Sequence, residues 1–142
     1  MGIQMNTPNP LDTIIGYHAH IYFKDATERA VAETLRARIG ERFRVQLGRW
    51  HDRLVGPHAR PMYQVAFEVD QFAAFVPWLM INRAGLTILV HPDTRHPRQD
   101  HLVNALWLGE VLPILNVEQL PVSTVGEPDD AIVPNTTPTL AA

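Results

Sequence analysis

The seven residues Tyr17-His18-Ala19-His20-Ile21-Tyr22-Phe23 decide the fold. Apolar and polar side chains alternate there with period two, the mark of a strand with one buried face. Ala19, Ile21 and Phe23 fall on the apolar face, and His18 and His20 share the opposite one. Just beyond, Asp25 can cap a helix, with Glu28 three residues on to complete a capping box. Val31, Leu35, Ile39 and Phe43 then recur on one helical face. Residues 44–50 read as a second strand and residues 61–67 as a third, joined by a long hairpin loop containing Gly56-Pro57. Phe72, Phe75, Val76 and Leu79 return to helical spacing. Pro77 inside that helix predicts a kink or a later start, and Gly85 is its stop. Residues 86–90 form the fourth strand.

The order βαββαβ is the ferredoxin-like split βαβ arrangement, an α+β fold with an antiparallel sheet. The expected strand order is 4-1-3-2, with both helices on one face. The other face stays open unless a partner or an extra segment closes it. In the fourth strand Leu86, Ile88 and Val90 take the core side, leaving Thr87, Leu89 and His91 on the open one. Strands 1 and 4 are antiparallel neighbours, which sets His91 beside His18 and within reach of His20. Neutral imidazole is the commonest nitrogen ligand for zinc and iron(II), so this convergence points to a metal site. An isolated H-x-H pair is more often two polar residues on a wet strand. The third histidine is what makes the metal reading worth pursuing.

The other histidines differ in promise. His51 and His58 are expected on the hairpin loop. His101 opens a segment, residues 101–109, that can lie across the sheet face and carry it into the site. His96, between Arg95 and Pro97, reads as solvated. Among carboxylates, Asp25 is better explained as a cap, and spacing singles out none of Asp52, Asp93 and Asp100.

Composition narrows the rest. A length of 142 residues fits one domain. With no cysteine in the chain, disulfides, thiolate metal sites, iron–sulfur clusters and a cysteine nucleophile are all excluded. A formal charge of -3 without a basic stripe argues against nucleic acid. The longest apolar stretch, residues 72–81, is about half the roughly 20 residues that span a bilayer. Residues 1–16 read as a loose lead-in without a secretory pattern, which makes the cytoplasm the expected compartment. Residues 17–115 carry the domain. Residues 122–142, with three prolines and no aromatic, read as a mobile tail. No Walker loop, G-x-G-x-x-G, G-x-S-x-G or H-E-x-x-H occurs.

Seven blocks then occur in order: Tyr17-His18-Ala19-His20-Ile21-Tyr22-Phe23, Gly48-Arg49-Trp50-His51, Gly56-Pro57-His58, Pro61-Met62-Tyr63-Gln64, Trp78-Leu79-Met80-Ile81-Asn82, Leu89-Val90-His91-Pro92 and Ala105-Leu106-Trp107-Leu108-Gly109. Together they resemble the DOPA 4,5-dioxygenase family of bacteria and fungi, from about residue 15 to 115. The resemblance implies a homodimeric ferredoxin-like enzyme that cleaves catechols such as L-DOPA in extradiol fashion. Its partners would be the catechol and O2, with iron(II) as cofactor and zinc as a possible replacement in purified protein. From charge and apolar length, neither nucleic acid nor a membrane is expected as a partner. On the basis of the resemblance His18, His20 and His91 are the candidate metal ligands, and His101 or His51 the proton-transfer group. His58 and Tyr63 are candidate substrate contacts, with Arg49, Arg53 or Arg60 for a substrate carboxylate. Two departures fall in the loop after strand 4: Thr94-Arg95-His96 stands where the family pattern has Thr-Gly-Asp, and Asn104 where some relatives carry histidine. They bear on substrate identity rather than on the metal. The competing readings are a non-catalytic dimeric ferredoxin-like module, metal-binding or regulatory, and another enzyme of this fold, such as a cofactor-free monooxygenase or a haem-binding relative.

Overall fold

The structure, a computed structural model, describes residues 7–128 and 131–142. Its main elements are β1 (Gly16–Tyr22), α1 (Ala26–Arg42), β2 (Gln46–His51), β3 (Met62–Phe67), α2 (Phe72–Asn82), β4 (Ile88–Asp93), α3 (Pro97–Leu102) and β5 (Leu106–Leu108). The sheet is antiparallel with order β2-β3-β1-β4-β5. The expected four-strand order is therefore present, extended at one edge by β5.

Local chemistry explains the frame. Asp25 caps α1 by accepting the Glu28 amide at 2.8 Å, and Glu28 reaches back to the Lys24 amide at 3.0 Å. That return bond lands one residue earlier than a standard capping box but satisfies an amide at the same helix entrance. Helix α2 runs through Pro77. Ala32, Leu35 and Ile39 of α1 and Phe75, Val76 and Leu79 of α2 pack on Ala19, Ile21, Val65, Phe67, Ile88 and Val90, forming one core on one face of the sheet. Burying that many large side chains is the main stabilising term of the domain.

The face expected to be open is covered by the chain itself. Tyr22, Met62, Leu89 and Leu112 form a second buried cluster there, with Val55, Ala105, Trp107 and Ile114 packed against it. The segment after β5 is tied down across the face by the Leu115 amide, which donates to the Pro57 carbonyl. The physical reason for expecting a partner over a bare sheet therefore falls away. Residues 106–108 do not lie across the face either; they pair with β4, Leu89 opposite Trp107.

Residues 131–142 differ from the mobile tail that composition suggests. They run along the outer edge of β2, where the Asn135 side chain accepts from the Leu47 amide and donates to its carbonyl, at 2.8 and 2.9 Å. Thr136 Oγ1 accepts the Val45 amide and donates to the Phe43 carbonyl, and the Thr139 and Leu140 amides donate to Glu41. Hydrogen bonds from its side chains and amides to the backbone of residues 41–47, invisible to a hydrophobicity argument, hold this segment. Among the described residues no helix is long and apolar enough to cross a membrane.

Candidate metal centre

Register builds the centre. His18 lies directly opposite His91 across β1 and β4, and His20 is opposite Leu89, one diagonal step from His91. Period-two alternation puts all three rings on the face away from α1 and α2. Helix α3 folds back after β4 and delivers His101, whose ring centroid is 4.0 Å from that of His91. The loop between β2 and β3 delivers His58, 4.1 Å from His20. Two groups of three have ligand atoms all within 4.8 Å of one another: His18, His20 and His91, and His20, His58 and His101. His20 belongs to both.

Burial disfavours the charged form of His20, His58, His91 and His101. His20 and His91 are held well below the ordinary imidazole value, first by desolvation and then by the surrounding histidines. His58 is pushed down to about 3, again mainly by burial, with His101, His51 and His18 adding to the effect. His101 is lowered by burial, against the opposing influence of the Pro97 carbonyl and Asp100. Neutral imidazole is the form that binds a metal ion.

Carbonyl partners fix two tautomers. His91 Nδ1 lies 2.9 Å from the Pro92 carbonyl, and His101 Nδ1 lies 2.7 Å from the Pro97 carbonyl. A carbonyl only accepts, so each Nδ1 carries the proton and each Nε2 keeps its lone pair. This is the outer-shell support that metal-bound histidines ordinarily have. His20 Nε2 is 3.1 Å from His91 Nε2. Two nitrogens on one ion at roughly 2.0–2.1 Å stand about 2.9 Å apart in octahedral cis positions and about 3.4 Å apart in a tetrahedron. The observed spacing lies between them. His20 Nδ1 is buried without a hydrogen-bond partner, an arrangement that costs free energy unless the ring serves another purpose. The donor set and its spacing therefore fit a divalent cation.

The remaining candidates separate clearly. His51 closes β2 rather than sitting on the loop, close enough to bear on His58 but outside both triads. Arg49 and Arg53 are exposed, and Arg60 pairs with Glu110. Tyr63, expected beside the substrate, is instead buried on the helix-covered face, its hydroxyl donated to the Ala32 carbonyl at 3.0 Å. His96 bonds the Thr94 carbonyl and stays outside the cluster. Asp52 is engaged by Arg29 and Trp50. Asp100 is buried and receives Thr94 N–H, Thr94 Oγ1–H and the Asn104 amide, bracing the turn that presents His101. No carboxylate enters either triad among the described residues.

Sequence reasoning overlooked Tyr22. Its hydroxyl lies 2.7 Å from His58 Nδ1 in a buried pair, and burial raises its own pKa. The signal was present, since Tyr22 continues the i, i+2, i+4 series begun by His18 and His20. A cavity of about 220 Å³ opens onto His18, His91 and His101. A larger groove of about 580 Å³ runs between α1 and α2, lined by Val31, Leu35 and Trp78. It holds no group suited to metal or proton chemistry, and the smaller cavity is the relevant one.

The chain is similar to several known proteins. The sequence pattern of the Dopa 4,5-dioxygenase family matches residues 17–118. The chain is 34% identical to DOPA 4,5-dioxygenase of Amanita muscaria, across 76% of this chain and 50% of that protein. It is 37% identical to an uncharacterised 21.2 kDa protein of Botryotinia fuckeliana, across 74% of this chain and 64% of that one. The chain thus spans between half and just under two thirds of the length of these curated relatives. A crystal structure from Nostoc punctiforme, provisionally described as a dioxygenase, is 52% identical, with a TM-score of 0.75 over 78% of this chain and 95% of that one.

Proposed function

Because the chain belongs to the Dopa 4,5-dioxygenase family, we propose that it opens catechol rings such as that of L-DOPA by extradiol 4,5-cleavage, using non-haem iron(II) and O2. The observation that carries this reading is the convergence of His18 with the buried His20 and His91, whose burial disfavours the charged imidazolium. Those three would hold the ion, leaving positions for both reactants. Iron(II), when bound, supplies a path for electron density from the aromatic diol to dioxygen. An alternative set, His20, His58 and His101, shares the central ring; the close His20–His91 pair favours the first.

The protein groups then divide the work. His101 Nε2, with its lone pair fixed inward by the Pro97 bond, would take the second catechol proton and return it as the ring opens. Asp100 beside it favours the transient imidazolium. His58, steadied by Tyr22, would contact the bound substrate. Leu89, Leu112 and Trp107 keep the neighbouring face dry. One ring and one O2 give one ring-opened semialdehyde acid, with both oxygen atoms retained and no external reductant consumed. A homodimer belongs to this reading through the family resemblance, and a cytoplasmic setting through the sequence expectation for residues 1–16.

The test is anaerobic reconstitution with iron(II), followed by a catechol panel in air-saturated buffer. Oxygen uptake matching the yellow ring-opened product mole for mole is expected for at least one catechol. No oxygen uptake with any catechol would refute the enzymatic reading.

A further inference from the structure

We infer that Tyr22 is a positioning residue: its hydroxyl fixes the His58 ring so that Nε2–H donates a hydrogen bond to a negatively charged substrate oxygen among the histidines, and His58 is not a metal ligand. The inference rests on the ring-cleavage reading and deepens it by giving one histidine of the cluster a task different from the others.

Two parts of the chain bring the pair together. Tyr22 ends β1 on the face of His18 and His20, opposite Met62 of β3. Its ring stacks on that of Trp107 in β5, with centroids 6.0 Å apart. His58 sits in the loop between β2 and β3, and that loop is pinned twice. The His58 amide donates to the Val55 carbonyl at 3.2 Å, and the Pro57 carbonyl accepts the Leu115 amide at 2.8 Å. Both side chains are buried, and the phenol oxygen meets His58 Nδ1 at 2.7 Å.

The direction of that bond follows from its surroundings. A phenol carries its proton at neutral pH, and a buried O–H needs an acceptor. Among the described residues His58 Nδ1 is the hydroxyl's one hydrogen-bond partner. Tyr22 therefore donates, Nδ1 spends its lone pair on the hydroxyl, and the imidazole proton is on Nε2. Turning the ring over would set a C–H against the hydroxyl, so the same bond holds the ring's orientation.

His91 and His101 are held the opposite way, since the carbonyls behind their Nδ1–H groups leave each Nε2 a lone pair. A ring nitrogen of His58 stands within 4.8 Å of those of His20 and His101, and its ring lies against His20 with centroids 4.1 Å apart. With Nδ1 engaged, Nε2–H is the group His58 offers there. An N–H has no lone pair for a cation, but it suits an anionic oxygen that the cation holds. What stands behind each ring thus sorts the cluster, and the alternative set of His20, His58 and His101 loses a ligand.

Ring-nitrogen NMR of 15N-labelled protein reads the tautomer directly, before and after zinc loading. His58 is expected to show an unprotonated Nδ1 and a protonated Nε2 in both states. A protonated Nδ1 in metal-free protein, or loss of the Nε2 proton on zinc loading, would overturn the inference. Calorimetric binding of 4-nitrocatechol to zinc-loaded protein gives a second readout without turnover. His58→Ala and Tyr22→Phe should each keep one zinc per chain; loss of zinc from His58→Ala would make that ring a ligand and overturn the inference. His58→Ala is expected to lose about 10- to 100-fold in affinity and Tyr22→Phe about 10-fold, the loss of a charge-assisted contact. Placed in the His58→Ala background, Tyr22→Phe should cause no further loss, because it acts through His58. Additive losses, as a merely structural role gives, or full affinity in either single variant would overturn the inference while leaving ring cleavage standing. If zinc-loaded wild type binds no catechol, both readings fall together.

Discussion

Metal-free protein should lose stability between pH 7.5 and pH 5.0, and His58 should account for a measurable share of the loss. Its imidazole titrates at 6.5 when unfolded and at about 3 when folded. The folded value is depressed, so the unfolded chain binds the extra proton, and stability falls as pH drops from 6.5 towards 3. At pH 5 the unfolded ring is almost fully protonated and the folded ring almost fully neutral. The gap from 6.5 to 5 at 1.36 kcal/mol per pH unit is worth about 2 kcal/mol. His20, His91 and His101 shift in the same direction and add to the slope. Urea titrations of chelator-treated protein at the two pH values, for wild type and His58→Gln, measure the difference. The wild type should lose about 2 kcal/mol more than the variant over this interval. An identical loss in both proteins, or a wild type more stable at pH 5.0, would refute the claim that burial holds these rings neutral.

Two further substitutions probe the frame. Thr136→Val removes the hydroxyl that bonds Val45 N–H and the Phe43 carbonyl, and should cost about 2 kcal/mol, lowering the melting temperature by about 5 °C. An unchanged melting temperature would restore the picture of a loose tail. Tyr63→Phe removes the bond to the Ala32 carbonyl and should cost about 1 kcal/mol with KM for catechols unchanged; a severalfold rise in KM would put Tyr63 back beside the substrate.

The frame was legible where side-chain periodicity and local caps encode it. Alternation through β1 and β4 placed His18, His20 and His91 on one face, and the βαββαβ order made those strands neighbours, which the register then pairs residue by residue. What escaped depends on long-range backbone bonding. Strand β5 has only three residues, too few to show a period. The tail is held by amides and carbonyls rather than by apolar side chains, so composition read it as mobile. The cover over the second face comes from loops whose apolar residues Val55, Leu112 and Ile114 are scattered in sequence. Tyr63 was read from its motif, although its odd-numbered place in β3 puts it beside Ile21, on the core side. Arg95 showed in the sequence only as a departure from the family pattern, because its positive φ is a property of the folded loop.

The most direct measurement is the metal content of His91→Ala set against His96→Ala. His91 pairs with His18 and approaches His20, whereas His96, five residues on, bonds a backbone carbonyl outside the cluster. After anaerobic loading with iron(II) and desalting, elemental analysis should give one iron per chain for wild type and for His96→Ala. His91→Ala should retain little metal and open no catechol ring, with its circular dichroism spectrum unchanged. Full metal occupancy in His91→Ala would contradict the account and move the ion to His20, His58 and His101.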